Sequence, residues 1–114
     1  MTVHAHDEMV FEPDLVFVRS DRMEIVDPEG DVHGVPDLAI EVVSPSTRSY
    51  DRSSKRKHYV DAGLQEIWLV DIQARSVEVW RAGAGEPELV RDFVTWRVGD
   101  AAFQLPLAEM LRGV

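Results

Sequence analysis

The chain has 114 residues, 45% of them apolar, no cysteine and a formal charge of −9. A chain of this size holds one core, and without cysteine it has no disulfides, thiolate zinc sites or cysteine nucleophiles. No apolar run approaches the roughly 20 residues of a membrane helix, and the acidic balance argues against a protein that coats nucleic acid through charge alone. A cytoplasmic protein is expected, one whose modest core is compatible with a homodimer. The charge is unevenly spread. Residues 1–41 contain eleven acids against Arg19 and Arg22, whereas Arg48, Arg52, Lys55, Arg56 and Lys57 face only Asp51 in one short basic segment.

Residues 1–12 are polar without a clear period and are expected to be frayed, leaving residues 13–114 as the domain. Pro13 introduces a strand, Asp14–Val18, with Leu15 and Phe17 on one face and Asp14, Val16 and Val18 on the other. The stretch Asp27-Pro28-Glu29-Gly30-Asp31 has the composition of a turn. A second strand, Asp37–Val43, is apolar on both faces except at Glu41, the pattern of a central strand covered on both sides. After the loop Ser44-Pro45-Ser46-Thr47, a helix is predicted over Asp51–Ala62 with Gly63 as its C-terminal cap. Ile67–Ile72 and Val77–Arg81 read as a hairpin joined at Gln73-Ala74-Arg75. Weaker strands are predicted over Glu88–Val94 and Trp96–Gln104, and Leu105–Leu111 closes the chain as a short helix begun by Pro106.

Glu41 is the anomaly, because a carboxylate on an inward strand face is costly unless paired, protonated or bound to a metal. Two readings stand at this point: an ion pair with an arginine or a more exposed strand end, and a metal ligand. Asp37 shares its strand face but lies about 13 Å away at 3.3 Å per residue. Asp14 opens a different strand, and pairing of that strand beside Leu38–Val43 would bring the two carboxylates together at an octahedral Mg²⁺. For both aspartates the alternative is a strand-entry residue that binds nearby backbone amides. Asp51, Lys55 and Tyr59 share one helix face; there Lys55 could serve a reacting phosphate, or the segment could be a solvated basic helix. His4-Ala5-His6-Asp7 is at most an adventitious metal tract, and the three tryptophans read as sheet-face residues rather than base-stacking platforms.

These stretches occur together in a familiar order. Pro13-Asp14-Leu15-Val16-Phe17-Val18, Pro36-Asp37-Leu38-Ala39-Ile40-Glu41-Val42, Ser44-Pro45-Ser46-Thr47, Asp51-Arg52 followed by Lys55 and Tyr59, Ala62-Gly63, Ile67-Trp68-Leu69-Val70-Asp71 and Leu105-Pro106-Leu107-Ala108-Glu109 resemble the Uma-type restriction endonuclease family, which is similar to the PD-(D/E)xK nuclease superfamily. The resemblance implies an α/β (α+β) fold: a restriction-endonuclease-like mixed central sheet flanked by helices, here without the family's usual amino-terminal part. It implies hydrolysis of DNA phosphodiesters with Mg²⁺, for which Mn²⁺ could substitute. Asp14 and Glu41 would hold the metal, and Lys55, in place of the usual lysine at the position of Val43, would complete a catalytic set of Asp14, Glu41 and Lys55. Asp37 would be auxiliary or structural, Tyr59 would pack behind Lys55 or bond to the site, and Arg48, Arg52, Arg56 and Lys57 would bind nucleic acid. A catalytically silent domain of the same fold is the alternative.

Overall fold

The structure, a computed structural model, describes residues 1–6, 9–43 and 56–112. Its centre is a mixed five-stranded sheet. The strands are β3 (Leu15–Phe17), β5 (Leu38–Val43), β6 (Glu66–Asp71), β7 (Ser76–Arg81) and β8 (Glu88–Val90), in the order β3-β5-β6-β7-β8. Only β5 and β6 pair in parallel; the other pairs are antiparallel. A parallel pair needs a crossover, and the connection carries helix α1 (Arg56–Asp61). The predicted helix began at Asp51; residues 51–55 lie outside the described part.

The end of α1 is set by Gly63, whose φ of +93° suits a residue without Cβ. The N–H of Gly63 bonds the carbonyl of Val60 at 3.0 Å and that of Leu64 bonds the carbonyl of Tyr59 at 3.1 Å, a Schellman cap. At the β6–β7 turn, Asp71 Oδ1 accepts the N–H of Ala74 at 2.9 Å, and Arg75 takes the left-handed conformation just before β7 begins.

Side-chain alternation divides the core in two. Leu38, Ile40, Trp68, Val70, Val77 and Val79 point to one face, packed with Val90, Val94, Leu107 and Leu111. Ala39, Val43, Ile67 and Leu69 point to the other, beneath Tyr59 and Ala62 of the α1 region and Val3, Ala5 and Val32. Among the described residues, the buried polar side chains Glu41, Asp71 and Ser76 all belong to this second face.

The amino terminus is a correction to the sequence reading. Residues 1–12 were expected to be frayed, yet β1 (Val3–His6) pairs antiparallel with β2 (Met9–Phe11) and parallel with β4 (Val32–His33). Val3 is fully buried and Thr2 N–H bonds Asp31 Oδ1 at 2.8 Å. The physical reason is tertiary: a four-residue strand is stabilised by partners about thirty residues away and by the core below it, neither of which produces a local period. Between β3 and β4, a 3₁₀ segment, Ser20–Ile25, leads to the expected turn, in which Asp27 Oδ1 accepts the N–H groups of Glu29 and Asp31.

The carboxyl-terminal part also differs. Glu88–Val94 is split: β8 ends at Val90, and β9 (Phe93–Val98) pairs with β10 (Ala101–Pro106) in a separate hairpin. The single strand predicted over Trp96–Gln104 is broken at Gly99, whose φ of +57° suits the first central position of a two-residue turn. Helix α2 is Leu107–Met110 rather than Leu105–Leu111, because Leu105 and Pro106 still pair with Val94 and Phe93. The mixed central sheet is as expected, and its cover consists of small sheets as much as helices.

Candidate metal centre

The site starts from the register of β3 against β5. Leu15 pairs with Ile40, Val16 with Ala39 and Phe17 with Leu38, so Asp14 stands one rung further along, opposite Glu41. Residues opposed across a strand pair share a face, which here is the face with the buried polar groups. Asp14 Oδ2 accepts the backbone N–H of Val42 at 2.7 Å, which fixes the carboxylate beside Glu41. The exposed Asp14 and the 2% exposed Glu41 thus form a graded pair, one at the solvent and one in the core. That burial removes the reading of Glu41 as an exposed strand end.

Tyr59 reaches this pair from α1. Its hydroxyl donates a short hydrogen bond to Glu41 Oε1. Burial, then the bond to Glu41, then the charges of Glu41 and Asp14 push the phenol far above its ordinary value, so Tyr59 stays a donor and does not act as a base. That both carboxylates act on one hydroxyl places all three groups together. The Schellman cap on the Tyr59 carbonyl holds the helix at this height, and Phe11 of β2 packs on the phenol ring with centroids 4.7 Å apart. Phe11 was missed in the sequence because its segment was read as frayed; the alternation of Val3 and Ala5 with His4 and His6 was the available signal.

Asp37 is engaged elsewhere. Arg22 Nη1 donates to its Oδ1 at 2.9 Å and Arg19 N–H to its Oδ2 at 2.7 Å, while Arg22 Nη2 reaches the Val35 carbonyl. Both oxygens therefore tie the 3₁₀ segment to the start of β5, four residues from Glu41. Lys57 is exposed on α1, and Arg56 is its first residue. Lys55, Arg48 and Arg52 lie outside the described residues.

The donor set suits a hard cation. Mg²⁺ takes oxygen ligands, keeps several waters and is commonly held by one or two carboxylates. Asp14 and Glu41 meet that description; among the described residues no cluster of three or more His, Cys, Asp or Glu forms a larger cage. No described helix is long and apolar enough to cross a membrane.

Comparison with known proteins agrees with this architecture. A family model described as "Uma2: Putative restriction endonuclease" matches residues 1–107. A crystal structure from Anabaena variabilis, described as "a putative nuclease belonging to DUF820", superposes with a TM-score of 0.70 at 21% sequence identity, covering 96% of this chain and 64% of that one. The chain thus spans under two thirds of that protein's length, and the likeness is one of fold. No curated protein matches the chain.

Proposed function

The chain belongs to the Uma2 family, and on that premise we propose that it is a Mg²⁺-dependent nuclease that hydrolyses phosphodiester bonds of DNA in the cytoplasm. The observation that carries this reading is the meeting of Asp14 and Glu41 at one rung of the β3–β5 pair, on a face where a buried carboxylate has no purely hydrophobic purpose. Asp14, Glu41 and the carbonyl of Val42 are the groups that would hold the ion. Bound there, a divalent ion would supply a Lewis acid able to acidify water and offset negative charge on the phosphoryl group.

The rest of the site prepares that centre. Tyr59 holds Glu41 in one orientation through its donated bond, which limits the reorganisation needed when charge develops. Asp14 is pinned by the Val42 N–H through one oxygen and would offer the other to the ion. Lys55 is assigned to orient the attacking water, and Arg48, Arg52, Arg56 and Lys57 to hold the flanking phosphates, locally reversing the acidic balance of the chain.

The test is calorimetric titration of Mn²⁺, as a Mg²⁺ surrogate, into the wild type and into Asp14→Ala and Glu41→Ala, each checked for folding by circular dichroism, followed by DNA cleavage with the same three proteins. Binding of about one or two ions by the wild type, lost in both folded variants together with cleavage, is the expected result. A folded wild type that binds no ion would overturn the reading and favour the alternative, an inactive domain of this fold that serves as a nucleic-acid or protein interaction module.

A further inference from the structure

The β9–β10 hairpin stands apart from the central sheet and pairs with no other strand among the described residues. The outer edge of β10 is open, and Ala101, Ala102, Phe103 and Gln104 are all exposed. Exposed strand edges invite pairing, and proteins usually blunt them with charges or keep them short. The central sheet does both: its edge strands β3 and β8 have three residues each, flanked by Asp14 and Arg19 or containing Glu88 and followed by Arg91. By contrast, β10 has six residues, and no charged side chain occurs from position 101 to 108.

We propose that β10 pairs antiparallel with β10 of a second copy of this chain, about a two-fold axis through Phe103. The register follows from the hairpin. Val98 and Ala101 flank the two-residue turn and form its closely bonded pair, so the backbone groups of Ala102 and Gln104 face outward. Antiparallel pairing centred on Phe103 sets Ala102 of each copy against Gln104 of the other, matching donors with acceptors on both sides. Phe103 then faces its own equivalent in the non-hydrogen-bonded position, where strands bring side chains closest.

Side chains and charge favour the same partner. Phe103 is 51% exposed although it shares a face with Trp96, with ring centroids 6.4 Å apart, and Trp96 lies 4.7 Å from Phe17. Self-pairing extends this aromatic row across the axis and covers both Phe103 rings. A chain with a charge of −9 repels its own copies, so an uncharged strand is where two copies can approach with least penalty. Under this register Asp100 falls opposite Pro106, and no like charges oppose one another along the pair.

The proposal is independent of the metal centre and is tested without it. Sedimentation equilibrium of the wild type should give twice the chain mass. Phe103→Lys, which puts two cations on the axis, and Ala102→Pro, which removes an outward N–H, should each give the single-chain mass with unchanged circular dichroism. Because the chain has no cysteine, Phe103→Cys provides a direct reading: air oxidation should link two copies about tenfold faster than in Leu89→Cys on the rival edge β8, since paired strands hold the thiols at high effective concentration. A monomeric wild type, a dimer that survives both substitutions, or equal oxidation of the two cysteine variants would each overturn the proposal. A monomer whose binding of a single-stranded oligonucleotide is lost on Phe103→Lys would identify the aromatic row as a base-stacking surface instead.

Discussion

The two faces of the central sheet are built from alternate residues of the same strands, yet one closes over hydrocarbon alone and the other over hydrocarbon with buried carboxylates. On the first, Leu38, Ile40, Trp68, Val70, Val77 and Val79 interlock with Val94 and Leu107, and nothing polar is buried among the described residues. On the second, Glu41, Asp71 and Ser76 are buried, and Tyr59 of α1 bonds Glu41. Both faces hold an apolar cluster, but only the second also buries polar side chains among the described residues. A single residue step along β5 separates the two tasks, which is why a chain this short can accommodate both.

The sharpest way to break the contrast is to cut into the apolar face. Trp68→Ala, at a fully buried position, is expected to cost about 3–5 kcal/mol, a large share of the ~5–15 kcal/mol typical of a domain. Denaturant titration checks it. On the polar face, Tyr59→Phe removes a donor to a buried carboxylate and should cost about 1.5–3 kcal/mol at neutral pH. Its pH dependence has a defined sign. A phenol raised above its unfolded value of 10.0 contributes stability fully below that pH and loses it as pH rises further, since the unfolded chain ionises first. The gap between wild type and Tyr59→Phe should therefore narrow above about pH 10; a gap that stays constant would show that Tyr59 ionises alike in both states.

Glu41→Gln is expected to change stability by no more than about 1 kcal/mol, since an amide oxygen can still accept from Tyr59, while Mn²⁺ binding disappears. Calorimetry paired with thermal unfolding would show the two effects separating. The smallest effect belongs to the half-buried Asp27. Its hydrogen bond to His33 Nε2, 2.8 Å long, and then those from the Asp31 and Glu29 N–H groups hold its carboxyl below the usual 3.8. Stability from this group is present above that pH and lost as acid protonates the carboxylate. Asp27→Asn should thus differ from wild type near neutrality and converge with it in strong acid, as acid-unfolding curves would record.

Part of this was legible without coordinates, for identifiable reasons. Glu41 stood out because every neighbour on its strand is apolar, and central placement of that strand follows from the same fact. Asp14 could be nominated as its partner, but a strand pattern carries no register, and only the pairing of Leu15 with Ile40 brings the carboxylates level. Asp37 looked equivalent to Glu41 by periodicity; the arginine that occupies it arrives from a 3₁₀ segment with no sequence signature. The first twelve residues were misread because β4, the partner that orders them, has only two residues and lies across the chain. Gly99 marked the break between β9 and β10, but Trp96–Gln104 reads as one continuous strand when that glycine is passed over.

The parallel alignment of β5 with β6 has a consequence for synthesis. Both carboxylates lie within the first 41 residues, an acidic stretch that leaves the ribosome before Tyr59 and before the strand that flanks β5 on its inner side. The nascent segment carries its charge without the helix and strand that later enclose Glu41, and pairing across so long a connection is slow to close. A translation-arrested chain exposing residues 1–43 should therefore remain open to protease, whereas one exposing residues through 112 should resist it. Glu41 is thus made early and enclosed only once Tyr59 and β6 have followed it.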